Sequence, residues 1–166
     1  MGAVFVATRE VVMELMPVTI YTILQSGKLH AMYRESGLAT FEEGKKWVSA
    51  SQHLAKAKAS GRILPIVFAP AEHIRELIYQ GIIRKISFAT SQNKVCSVIT
   101  VSDLKPFRAP RPAKTQLVVQ STGKSIPPGH IRPYVICRTP SFIANAPAPN
   151  STVERDARKG RARRSP

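Results

Sequence analysis

The chain has 166 residues, 43% of them hydrophobic, with 25 Lys and Arg against 10 Asp and Glu and a net charge of +15. That length allows one domain and a tail, and the apolar fraction suffices for a core, which excludes a wholly disordered or fibrous chain. No uninterrupted apolar run approaches the roughly 18 residues that a membrane-spanning helix needs, so no membrane partner is expected.

The first residues, "MGAVFVATREVVMELM", lack a basic leader and are broken by Arg9, Glu10 and Glu14, which does not make a signal peptide. Residues 3–8 read as a short buried strand. The run "VTIYTILQSGKLHAMYR" is β-rich on either side of Ser26-Gly27, which predicts a hairpin. The rival is a helix over 18–25 stopped by Gly27. Thr40 and Glu43 have capping-box spacing, so a helix is predicted from Thr40 to a stop at Gly61.

"RILPIVFAP" then predicts a buried strand, and 70–81 a short helix with Pro70 in its first turn and Gly81 at its end. Ile74, Leu77 and Ile78 would share a face of that helix. "IIRKISFAT" and "KVCSVITVSDL" predict a hairpin around Ser91–Asn93, with a bulge or twist. "KPFRAPRPAK" holds three prolines, which rules out a helix or a central strand. "TQLVVQ" and "RPYVICRT" are the last two strands, and residues 145–166 read as a disordered basic tail. Residues 1–144 then form a single α+β domain: a mainly antiparallel curled sheet or small barrel with two or three helices.

The tail carries Arg155, Arg158, Lys159, Arg161, Arg163 and Arg164 against Glu154 and Asp156, so most of the positive charge lies in the body. A compact body so charged repels itself and calls for an anionic partner, of which nucleic acid is the commonest and an acidic protein the next. Cys96 and Cys137 sit in apolar runs, which points to free buried thiols and a reducing, cytoplasmic setting.

The sequence "STGKS" at 121–125 raises the possibility of a phosphate-binding P-loop. Such a loop needs a glycine five places before Gly123, where Val118 stands, and it must open a helix. Pro127, Pro128 and Gly129 follow instead, so a surface turn presenting Lys124 is expected. His30, His53, His73 and His130 show no metal-ligand spacing, and no CxxC is present, so neither a metal nor a cofactor is expected. Asp103 is the only aspartate outside the tail, which disfavours two-metal phosphodiester chemistry.

Two basic stretches remain. One interleaves Lys105, Arg108, Arg111 and Lys114 with Phe107; the other carries His130, Arg132, Tyr134 and Arg138. Cations can hold phosphates while an aromatic ring stacks a base. The binding residues expected from this pattern are Lys105, Phe107, Arg108, Arg111, Lys124, Arg132 and Tyr134. No catalytic constellation is visible. An enzyme on nucleotides or nucleic acid would have to draw on His73, Glu76 or His130. A subunit for an acidic protein partner is the third reading.

"ILPIVFAPAEHIRELIYQGIIRKISF", "SVITVSDLKPF" and "RPYVICRTPSF" together resemble the PUA-like group of small barrels, which includes EVE and ASCH domains. The resemblance covers residues 63–143 and lies in the arrangement of elements. It implies a small barrel and recognition of RNA or a modified base in a cleft beside a helix.

Overall fold

The computed structural model describes residues 13–35, 37–71, 77–108, 117–127 and 133–144. Nine elements follow in chain order: β1 (Val18–Leu24), α1 (Ser26–Arg34), β2 (Ala39–Glu43), α2 (Val48–Ala59), β3 (Pro65–Pro70), β4 (Leu77–Ser91), β5 (Lys94–Arg108), β6 (Val135–Arg138) and α3 (Ser141–Ala144). The strands form one mixed sheet in the order β2-β5-β4-β3-β1-β6. β1 and β3 pair in parallel, and every other pairing is antiparallel. The parallel pair is possible because α1, β2 and α2 make the long crossover that parallel neighbours require.

β3 is buried on both faces, as its continuous apolar run requires, and β1 is buried throughout except at Ile23. The two threonines of β1 are satisfied internally. Thr22 Oγ1 donates to the Pro133 carbonyl at 2.7 Å, and Thr19 Oγ1 meets Thr139 Oγ1 at 3.0 Å.

On the first face of the sheet, Leu29 and Met32 of α1 and Ala50, Leu54 and Ala57 of α2 pack against Val18, Ile20, Phe41, Ile66, Phe68, Ile99 and Val101. Trp47, the residue before α2, is fully buried among them. Its ring lies 5.6 Å from that of Phe41 in β2 and 4.5 Å from that of Tyr134, which directly precedes β6. In a flat sheet the two outer strands of a six-strand order lie about 24 Å apart, too far for one indole to touch a ring from each side. The sheet is therefore curled around this face. No backbone pairing joins β2 to β6 among the described residues, so the expected barrel is an open sheet.

The second face is covered over β1, β3 and β6 by Leu117 and Ile126 of the turn segment and by Ile143 of α3. The β4–β5 hairpin carries two register shifts, at Gln80/Ile82 and Ile83/Lys85. Gly81 eases the first of these, since a Cβ there would lie a tight 3.2 Å from the Ser102 carbonyl oxygen. Beside the second, Arg84 Nε donates to Ser102 Oγ at 2.5 Å, and Ser102 Oγ donates to Asp103 Oδ2 at 2.7 Å. This clip holds Asp103 at φ 53°, a left-handed conformation that is uncommon outside glycine.

The α+β class and the mainly antiparallel sheet agree with the sequence reading, and so does the bulged hairpin around residues 91–93. Several local expectations are corrected. The segment 18–34 is a strand followed by a helix, neither a hairpin nor a helix over 18–25. Leu29 and Met32, three apart, form the buried stripe that makes α1 helical. Thr40 and Glu43 lie in β2, so they form no capping box, and the helix starts only at Val48. Alternating burial decides this, with Ala39 and Phe41 buried and Thr40 and Glu42 exposed.

The expected helix over 70–81 is contradicted at its C-terminal end, because β4 begins at Leu77 and Gly81 pairs with Ile66 inside the sheet; residues 72–76 lie outside the described residues. Lys105–Arg108, read as too proline-rich for a central strand, is the end of β5. β2 reaches only residues 97–101 of β5. Pro106 thus lies where one side of the strand has no described ladder to interrupt. The short helix α3 was not expected at all. The residues read as a disordered basic tail, 145–166, lie outside the described residues.

Candidate nucleic-acid interface

Among the described residues the positive charge is little neutralised by ion pairs. Among the described residues the ion pairs are Arg62 with Glu14 at 3.5 Å and Arg84 with Asp103 at 3.2 Å. The remaining described lysines and arginines have no carboxylate within ion-pair distance. They include Lys45 and Lys46 before α2, Lys56 and Lys58 at its end, Lys124 and Arg138.

The residues expected to bind nucleic acid are divided between the two faces. Lys105 lies in β5 opposite the buried Gln80 and is half-buried. Phe107, two residues on, shares its face of the strand. The Phe107 ring is stacked on Phe142 of α3, with centroids 5.5 Å apart and planes at 13°. Both rings pack against the second-face cluster, as does Val119. Arg108 ends β5 opposite Leu77, and its side chain is outside what is described. Arg111 and Arg132 lie outside the described residues, as do His73, Glu76 and His130.

Tyr134 belongs to the first face. Its ring packs on Trp47, and its hydroxyl accepts the Ala50 N–H at 3.3 Å, in the first turn of α2. That helix has no side-chain cap of its own. Ser97 of β5 fixes the approach to α2: its hydroxyl accepts the Trp47 N–H at 2.9 Å and donates to the Lys45 carbonyl at 2.7 Å. Nothing in "KVCSVITV" marks Ser97 for this part, because it occupies an ordinary inward position of an alternating strand. Trp47, the single tryptophan, could have been suspected as a core anchor from its size alone.

Lys124 stands in a closed turn. The Val119 N–H donates to the Lys124 carbonyl at 2.8 Å, and the Gly123 N–H donates to the Val119 carbonyl at 2.9 Å. Val118 pairs with Ser125 at the base of the turn. The turn is joined to β6 by Arg138 N–H to Val118 carbonyl at 2.8 Å and Gln120 N–H to Ile136 carbonyl at 3.0 Å. Residues 121–125 are exposed, whereas Ile126 is buried and anchors the turn from below. As far as Pro127, the last described residue of the segment, no helix opens. Gly123 has φ 67°, and a Cβ on it would sit 3.5 Å from Nη2 of Arg138. The Arg138 guanidinium therefore lies against the turn that presents Lys124, a proximity that sequence separation conceals.

Cys137 and Tyr21 face each other's surroundings on the second face. Burial pushes the Cys137 thiol up to about 12. Burial first, and the neighbouring Cys137 second, push the Tyr21 phenol up to about 12. A thiol so placed is a poor nucleophile. His53 on α2 is lowered by burial and then by Lys56. Among the described residues no three His, Cys, Asp or Glu side chains converge as metal ligands, and no helix is long and apolar enough to cross a membrane.

The chain matches no protein-family model, no curated protein and no solved structure.

Proposed function

We propose that this chain is a small nucleic-acid-binding module of PUA-like form, acting on RNA or a modified base. The observation that carries the reading is the positive charge left without internal partners: a net +15, with only Arg62 and Arg84 paired among the described residues. Unpaired surface cations release condensed counterions when they neutralise phosphates, which is the main source of affinity for a polyanion. Lys105 and Lys124 supply phosphate contacts on the second face, with Arg108, Arg111 and Arg132 neighbouring them in sequence. Phe107 beside Lys105 and Tyr134 on the opposite face are each already packed on a ring, Phe142 and Trp47, so a base would stack only on the half-buried remainder of each. The PUA-like form is supported by the antiparallel β4–β5 hairpin and by β6 in a curled sheet, which lie within residues 63–143. A cytoplasmic setting is supported by Cys96 and Cys137, both free thiols.

Electrophoretic mobility shift with single- and double-stranded RNA and DNA over a salt series tests the reading. Binding is expected at low salt, with log affinity falling by about 0.7 to 0.9 per phosphate contacted for each decade of salt. No retardation by any of the four at low salt overturns it. Retention by an acidic protein in that case would favour the interaction-subunit reading.

A further inference from the structure

The turn at Ser121–Ser125 has lost the two features of a P-loop, yet it retains what a phosphate group needs from a different geometry. Lys124 and Arg138 come from segments bonded directly to each other through the Arg138 N–H and the Val118 carbonyl. Their backbones are therefore fixed relative to one another before any ligand arrives. The Arg138 guanidinium is brought against the turn at Gly123, where only hydrogen stands on the Cα. Ser121, Thr122 and Ser125 place exposed hydroxyls around the same turn. Thr122 Oγ1 accepts the Lys124 N–H at 3.3 Å, which tightens the turn tip. Neither cation has a carboxylate partner among the described residues. Two unpaired cations on segments bonded directly to each other raise the local positive potential, which a bound anion lowers.

From this geometry we propose that Lys124 and Arg138, with the hydroxyls of Ser121, Thr122 and Ser125, form a phosphate-binding site on the second face. Arginine supplies a planar fork matched to two phosphate oxygens, and lysine supplies a point charge. The hydroxyls are the usual supplementary donors to phosphate oxygens. The site lies on a rigid turn, so little ordering is lost on binding. The ligand chemistry is a phosphate group, either a diester of a nucleic-acid strand or the phosphate of a small molecule. The first source deepens the nucleic-acid reading and rests on it; the second does not.

The experiment is a ¹H–¹⁵N NMR titration of the full chain with three probes: inorganic phosphate, a short single-stranded oligothymidylate, and chloride at matched ionic strength. The backbone signals of Ser121–Ser125 and the Arg138 Nε–H signal are followed. Saturable shifts with phosphate or the oligonucleotide, absent with chloride and abolished in the Lys124→Ala/Arg138→Ala variant, are expected. The rest of that variant's spectrum should be unchanged, since both side chains are exposed. In a mobility-shift series the two substitutions together should lower the salt slope by about 1, because the two cations hold one phosphate between them.

Shifts no larger than those from chloride, or shifts that survive the double substitution, overturn the site. Retarded oligonucleotide with a silent turn overturns the site and leaves the nucleic-acid reading standing. Saturation by inorganic phosphate without retardation of any nucleic acid upholds the site and removes the nucleic-acid reading.

Discussion

The two faces of the sheet are built differently. The first face is covered by α1 and α2 and holds the largest fully buried side chains, Trp47, Phe41 and Phe68, in edge-to-face contact. The second is covered by a turn and a four-residue helix, and its apolar cluster includes a phenol and a thiol. Each face also buries one side-chain polar atom without a partner among the described residues, Trp47 Nε1 on the first and Tyr21 Oη on the second. The first face thus holds the aromatic core, while the second carries two of the unpaired cations, Lys124 and Arg138, on a cover that is small and close to solvent. The turn that carries Lys124 shares no ring contact with the aromatic core.

The sharpest way to break this contrast is to remove a ring from the first face. Phe41→Ala deletes a side chain that touches both Trp47 and Phe68 across the curl of the sheet. Deletions of buried aromatics cost about 3–5 kcal/mol, a large share of a small domain's stability. Urea unfolding followed by circular dichroism measures it. A loss below about 1 kcal/mol would show that the curl is held by something other than these rings.

Ser97→Ala is the next test, with an expected cost of about 1–3 kcal/mol, because both the Trp47 N–H and the Lys45 carbonyl lose their partner at once. Trp47 is the only tryptophan, so its emission reports the same event directly. A red shift is expected as the loop before α2 loosens. Unchanged emission together with unchanged stability would mean that water replaces the hydroxyl without loss.

The second face should reveal itself at high pH. Tyr21 is raised from 10.0 to about 12, and Cys137 from 9.0 to about 12, so the fold favours the neutral form of each. Their contribution is whole below about pH 9, where the unfolded thiol is still protonated. It declines as pH rises through the interval from 9.0 and 10.0 towards 12, because only the unfolded chain ionises readily there. The melting temperature should therefore fall across that interval. Tyr21→Phe should reduce the fall. At neutral pH it should be neutral or stabilising by up to about 1 kcal/mol, since it removes a buried hydroxyl that has no partner. Destabilisation at neutral pH would instead reveal a partner for the phenol.

The same contrast explains what the sequence disclosed. β1 reads as one arm of a hairpin turning at Ser26-Gly27, which gives it the wrong partner, whereas β3 and the hairpin of residues 82–104 were legible from their long β-branched runs. α1 was not, because two buried residues, Leu29 and Met32, are a thin stripe between Ser26-Gly27 and polar neighbours. The start of α2 was misplaced because Thr40 and Glu43 match a capping box by spacing, while pairing with β5 decides their conformation. Tertiary contact overrode a local signal there, as it did at Gly81. For the candidate site, Lys124 was visible as a cation in a turn. Its partnership with Arg138 depends on the bond between residues 118 and 138, which no local pattern encodes. The division of Phe107 and Tyr134 between opposite faces was hidden for the same reason.

The smallest expected effect lies at the tip of the hairpin, away from both covers. Gln92 and Asn93 have φ of 48° and 60°, so both central residues of the two-residue turn are left-handed. A type I′ turn of this kind suits the twist of the flanking strands, and glycine is favoured in it. Asn tolerates the left-handed region better than most residues, and Gln does so less well. Asn93→Gly should therefore stabilise by about 0.5 kcal/mol or less, because relief of strain is partly cancelled by the greater freedom of glycine in the unfolded chain. Gln92→Asn should act in the same direction without that offset. Urea midpoints of the two variants, at unchanged slope, measure the difference. If Gln92→Asn destabilises, the Gln92 side chain makes a contact at the tip that outweighs its backbone strain, and the tip is then a further place where the hairpin meets a neighbour.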